Sequence, residues 1–201
     1  MKMGKMEGKI PITREEAVEL LKSYEQKESD WNHYLESEAI MRKLAEKLGE
    51  DVEYWGMLGL LHDVDWALTR ERWKEHCTKA VEILKEKGFD DEFIEIIQSH
   101  AYEYDEIPAF ADKKRTRKSE HALAAAETMT GIVYAYALMK GKNISDMEVK
   151  GLKKKFKDKR FAANCNREII KEIEQVGISL DEFFELSIEA MKEIKREIGL
   201  E

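Results

Sequence analysis

Apolar positions recur at helical spacing along most of the chain. Leu35, Ala39, Ile40, Leu44 and Leu48 share one face, which predicts a helix from about Asp30 to Leu48, closed by Gly49. Thr13-Arg14-Glu15-Glu16 has the form of a capping box and opens an earlier helix carrying Ala17, Leu20 and Leu21. A third helix starts at Glu50 or Asp51 and includes Trp55, Leu58, Leu61 and His62; apolar residues surround its axis, as in a buried central helix. Asp65 to Trp73, with its paired tryptophans, has no clear period and reads as a loop or short turn. Lys74 to Lys87 reads as a helix with His76 in its first turn, and Asp90 caps a helix over Asp91 to Ser99 that delivers His100. A loop with Tyr102, Tyr104, Pro108 and the basic residues Lys113 to Lys118 follows, and then a long Ala-rich helix over Ser119 to Met139. Ser145-Asp146-Met147-Glu148 reads as a second capping box, and Arg167 to Val176 and Leu180 to Ile198 as two amphipathic helices, the last capped by Ser179. The prediction is an all-α, multi-helix bundle, with residues 1–201 forming one domain.

Composition narrows the partners. The formal net charge of -8 gives no general attraction to nucleic acid polymers or anionic lipid, so a small soluble partner is expected. The most apolar windows, Trp55 to Leu61 and Ala122 to Met139, read as too interrupted for a bilayer span, and Met1 to Ile10 lacks the apolar segment of a signal peptide; the expected location is cytoplasmic. The two cysteines, Cys77 and Cys165, are far apart and outside any C-x-x-C spacing, which argues against a disulfide framework and a zinc knuckle and leaves them as small core or semi-exposed residues. The Ala-rich face of the long helix suits a homo-oligomer contact as well as a core.

The candidate chemistry centres on Leu60-Leu61-His62-Asp63-Val64-Asp65. Charged groups at the end of an apolar run are costly unless paired or metal-bound, and all five histidines (His33, His62, His76, His100, His121) fall on or beside predicted helices where they can point inward. Imidazole and carboxylate donors suit a divalent ion such as Mn, Fe, Co, Ni, Zn or Mg. Asp65 either orients a ligand imidazole, accepts a proton, or caps the next helix. Lys153 to Arg160 forms a basic patch in an acidic chain; Lys155, Lys157, Arg160 and Arg167 can receive a phosphate, or the patch is a solvated helix end. The tryptophans and methionines at helical spacing read as core.

His33, then His62-Asp63, then a late acid at Glu127 resemble the HD superfamily of metal-dependent phosphohydrolases, over residues 30 to 130. The wider run from Glu38-Ala39-Ile40-Met41 to His121-Ala122-Leu123 and Thr130-Gly131 is similar to the HDIG-like predicted hydrolase branch. The resemblance implies an HD-type bundle with its metal core over about 30–130 and the helices of about 145–199 packed on it. It implies His33, His62, Asp63 and Glu127 as metal ligands, with Glu127 a departure because the family usually places Asp there. It also implies a second ion or a substrate contact at His76 and His100, and a bridging role for Asp63. The implied activity is hydrolysis of a small phosphorylated compound, such as a nucleotide, with Asp63 or Asp65 taking a proton and His121 offsetting charge on the phosphoryl oxygens. A di-iron oxygenase or lyase, and a non-catalytic metal-stabilised nucleotide sensor, are the alternatives.

Overall fold

A computed structural model describes residues 8–102, 104 and 107–201. The leading stretch read as lacking a signal peptide therefore lies, over residues 1–7, outside the described residues. Helices make up all the regular structure among them: α1 (Arg14–Lys22), α2 (Glu28–Leu48), α3 (Val52–Leu61), α4 (Trp66–Thr69), a 3-10 segment (Arg70–Glu75), α5 (Ala80–Glu86), α6 (Asp91–Ser99), α7 (Lys118–Met139), α8 (Val149–Lys157), α9 (Arg167–Lys171), α10 (Ile173–Val176) and α11 (Leu180–Glu193).

The caps form where the local chemistry asks for them. Thr13 and Glu16 exchange hydrogen bonds in a complete capping box, and the side chains of Asp51, Asp90 and Ser179 accept from the first turns of α3, α6 and α11. Gly49 ends α2 at φ 69°. α3 is buried without interruption from Tyr54 to Leu61 and lies along α2. Gly59 permits that approach: a Cβ there would sit 2.5 Å from the Ser37 carbonyl oxygen. α7 touches α2, α3, α6, α8, α9, α10 and α11. Its small residues Ala122, Ala124, Ala125 and Ala126 are fully buried and let these neighbours come close. A single hydrophobic cluster runs from Ala17 to Leu200, and a smaller one (Cys77, Ala101, Tyr102, Ile107, Phe110) lies under the α6–α7 connection.

Several expectations are corrected. The Asp65–Trp73 stretch, read as a loop or turn, forms α4 and then runs into the 3-10 segment. The helix expected from Lys74 begins only at Ala80, because Cys77 adopts φ 64° and the Asp65 carboxylate accepts the N–H groups of Cys77, Lys79 and Ala80 (3.2, 3.0 and 3.1 Å). His76 thus sits in a turn ahead of that helix. Ser145 opens no helix; α8 starts at Val149, and the Ser145 hydroxyl instead accepts from Lys195 Nζ at 2.7 Å. The helix expected over Arg167 to Val176 breaks in two at Glu172, and the last ends at Glu193 instead of Ile198. α7, read as too interrupted for a span, is by length and composition long and apolar enough to cross a membrane; 61% of its most apolar window is buried within the molecule, which accounts for that character.

Candidate metal centre

Four helix ends and one helix middle meet at a single point. His33 comes from the first turns of α2, His62 caps the C-terminus of α3 and Asp63 follows it. His76 comes from the turn before α5, His100 caps α6, and Glu127 projects from α7.

The imidazoles are all held in the same way, by Nδ1. His62 Nδ1 donates to the Gly59 carbonyl at 2.8 Å and His100 Nδ1 to the Ile97 carbonyl at 2.7 Å. His76 Nδ1 donates to Asp65 Oδ1 at 3.1 Å. His33 Nδ1 lies 3.0 Å from Thr130 Oγ1, whose hydroxyl hydrogen is spent on the Glu127 carbonyl at 2.6 Å, so this oxygen accepts as well. With Nδ1 carrying the hydrogen, each neutral ring aims a bare Nε2 lone pair at the centre.

These lone pairs crowd together. His33 Nε2 and His62 Nε2 are 3.0 Å apart, and His76 Nε2 and His100 Nε2 are 3.1 Å apart. Asp63 faces both pairs: Oδ2 lies 3.6 Å from His62 Nε2 and 3.9 Å from His33 Nε2, while Oδ1 lies 3.1 Å from His76 Nε2 and 3.2 Å from His100 Nε2. Glu127 Oε2 is 4.0 Å from His33 Nε2. Acceptors packed this tightly repel one another unless a cation lies between them, so the donor set fits divalent metal.

The charge environment points the same way. Burial pushes the His62 imidazole down to about 3, so it stays neutral and free to ligate. Burial also opposes charge on His76 and His100, yet the Cys77 sulfur and the Asp63 carboxylate beside them raise both well above the usual histidine range. Burial works against ionisation of Asp63 too, but His62 and His76 hold its carboxyl well below the usual carboxylate range. Burial raises the Glu127 carboxyl. The centre demands positive charge, from protons or from metal.

Asp65 is fully buried and both its oxygens are occupied, Oδ1 by His76 Nδ1 and the Cys77 N–H, Oδ2 by the N–H groups of Lys79 and Ala80. It orients a ligand imidazole and holds the start of α5, which corrects its reading as a proton acceptor. His121 is also corrected: its Nδ1 lies 2.7 Å from Glu172 Oε2, away from the other histidines. Arg115 grips the same carboxylate at 2.7 and 2.8 Å and donates to the carbonyls of Ser99 and Tyr102, which flank His100.

Three of the four side chains read as a phosphate site have partners within the chain. Arg167 spends its guanidinium on the carbonyls of Phe156, Asp158, Phe161, Ala162 and Cys165. Arg160 pairs with Asp158, and Lys155 lies over the rings of Tyr136 and Phe161. Neither these nor Lys157 line the pocket in front of the clustered ligands.

That pocket encloses about 390 Å3, and its walls include Trp66, Trp73, Tyr104 and Ile107 beside Asp63 and Glu127. Trp66 and Trp73 fall in the stretch read as a loop or turn without clear period, apart from the tryptophans at helical spacing that read as core. Cys77 reads from the sequence as a small core or semi-exposed residue. It is fully buried, but its Sγ lies 3.6 Å from His100 Nε2, and its left-handed backbone turns His76 toward the centre. Thr130 enters the sequence reading only as part of the family-like run; its bond to His33 joins two helices that are far apart along the chain.

A family model described as the HD domain matches residues 30–130, a span that contains all six clustered side chains. Ribonuclease Y of Pseudothermotoga lettingae is 29% identical over 173 residues, which cover 83% of this chain and 32% of that protein. The chain therefore matches about a third of that relative's length. No solved structure matches. With half of its length matched and the ligand set inside the match, the chain belongs to the HD-domain family, a family of metal-dependent phosphohydrolases.

Proposed function

We propose that the protein is a metal-dependent hydrolase of small phosphate esters, nucleotides among them, working with two adjacent divalent ions. The observation that carries this reading is the placement of Asp63 between two histidine pairs, one carboxylate oxygen toward each. His33, His62, Asp63 and Glu127 would hold one ion, and His76, His100 and Asp63 the other. When bound, such ions supply Lewis acidity toward the phosphoryl oxygens and a water acidic enough to be deprotonated near neutral pH.

The chain's own contribution is to position the donors and hold charge. Thr130, the Gly59 and Ile97 carbonyls and Asp65 fix the four rings so that no reorientation accompanies the reaction. Asp63, held far on the anionic side, is a poor base and serves to hold charge. Glu127, partly exposed at the pocket wall, would complete the donor set around the first ion with Oε2. A pocket of about 390 Å3 is of small-molecule size. The likeness to a ribonuclease keeps RNA phosphodiesters in the test panel.

The experiment is a panel of nucleotides, phosphomonoesters and short RNA with Mn, Co, Ni, Fe or Mg, run on wild type and His62→Ala. Phosphate release or strand cleavage that disappears in the variant is expected. No turnover of any ester, with His62→Ala binding as much metal as wild type, would end the proposal. The same bridging carboxylate also suits a di-iron oxygenase or lyase. Oxygen uptake requiring two irons per chain, without ester hydrolysis, would favour that second reading.

A further inference from the structure

The pocket walls say what the ester carries besides its phosphate. In front of the clustered ligands stand the rings of Trp66, Trp73 and Tyr104 together with Ile107, and no Lys or Arg lines the pocket among the described residues. Trp66 is braced edge-on against His76, with ring centroids 5.2 Å apart. Trp73 is 40% exposed, at the rim of the same pocket. Ile107 and the cluster of Cys77, Ala101, Tyr102 and Phe110 back this wall from behind, with Tyr104 packed on it.

Resting on the hydrolase reading above, we propose that these rings form a subsite for a flat, uncharged aromatic group, so that the substrates are ring-bearing phosphomonoesters such as nucleoside monophosphates. Indole and phenol faces stack on a planar aromatic ring, which offers them more contact area than glycerol or a single ribose does. The acid–base balance excludes longer phosphate chains. A single phosphoryl group meets the two cation positions; the β- and γ-phosphates of a triphosphate would meet no cationic side chain there, while Asp63 and Glu127 repel them.

The test uses the full chain loaded with the metal that supports turnover, and measures kcat/KM for adenosine monophosphate, glycerol phosphate, ribose 5-phosphate, adenosine triphosphate and a short oligoribonucleotide. It also follows tryptophan fluorescence on titration with adenosine, which has no phosphate to hydrolyse. Adenosine monophosphate is expected to exceed the ring-less monoesters and the triphosphate by at least about tenfold, the value of a single stacking contact. Trp73→Ala is expected to raise its KM about tenfold while kcat is kept, and Trp73→Phe to restore it. The exposed position of Trp73 leaves both variants free to fold. Adenosine, but not ribose, is expected to quench wild type. Equal turnover of ring-less esters, preference for the triphosphate or the oligonucleotide, or a Trp73→Ala variant with unchanged selectivity would overturn the subsite while leaving the hydrolase reading intact. Adenosine quenching without turnover of any ester would retain the subsite and remove the hydrolase; absence of quenching counts against the subsite in either case.

Discussion

Asp63 turns one carboxylate oxygen toward each of two histidine pairs, and the surrounding groups fix the imidazoles. Each imidazole has given its Nδ1 hydrogen to a fixed acceptor, so removing an acceptor should loosen one ring and one cation position. Asp65→Asn presents an amide nitrogen to groups that already donate, at a site with no exposure. Its affinity for the ion held by His76 and His100 is expected to fall about 10- to 100-fold, with the other position unchanged. Calorimetric metal titration reads both. Glu127→Asp shortens a side chain whose Oε2 is already 4.0 Å from His33 Nε2, and should weaken the first position; a gain in affinity would show that the longer acid is a handicap. At this scale the sequence was informative about residue types. The His62-Asp63 pair stands out at the end of an apolar run and Glu127 through the family resemblance, whereas Thr130, Trp73 and Cys77 act through contacts between distant segments, which spacing along one chain does not encode.

The helices carry the precision of the site. α3 reaches α2 closely enough to bring His62 to His33 because residue 59 has no side chain. Gly59→Ala forces a methyl group against the Ser37 carbonyl and is expected to cost about 1–3 kcal/mol, seen as a lower Tm, together with weaker binding at the His33–His62 position. Ordinary stability with unchanged metal affinity would show that the two helices are not held by this contact. Farther away, Glu172 at the break between α9 and α10 ties Arg115 and His121 together. Although burial opposes its ionisation, these two partners hold its carboxyl below the usual range. A lowered carboxylate stabilises the fold above its unfolded pKa, near 4.3, and the contribution disappears as pH falls through the lower folded value. Glu172→Gln should therefore lower Tm at neutral pH and flatten its fall on the acid side, in melts spanning that window. Periodicity located α2, α6 and α7 well because their apolar stripes are long. It failed at α5 and α8, where helix starts are set by a remote carboxylate or displaced from a capping-box pattern.

For the molecule as a whole, the all-α architecture and the family were legible because a helical period and a rare His-Asp constellation survive in a single sequence. The pocket in front of the clustered ligands was not, since its walls include α4, the 3-10 segment and the α6–α7 connection, stretches without regular period. What unites the scales is a bundle whose helix ends bring two histidine pairs to opposite oxygens of one aspartate. The most direct measurement is the number of divalent ions per chain, by elemental analysis and calorimetric titration, for wild type, His33→Ala, His100→Ala and Asp63→Asn. The expected result is two ions in wild type, one in each histidine variant at complementary positions, and severe loss at both positions in Asp63→Asn. A wild type that binds no ion, or a His100→Ala variant with wild-type stoichiometry and affinity, would contradict it.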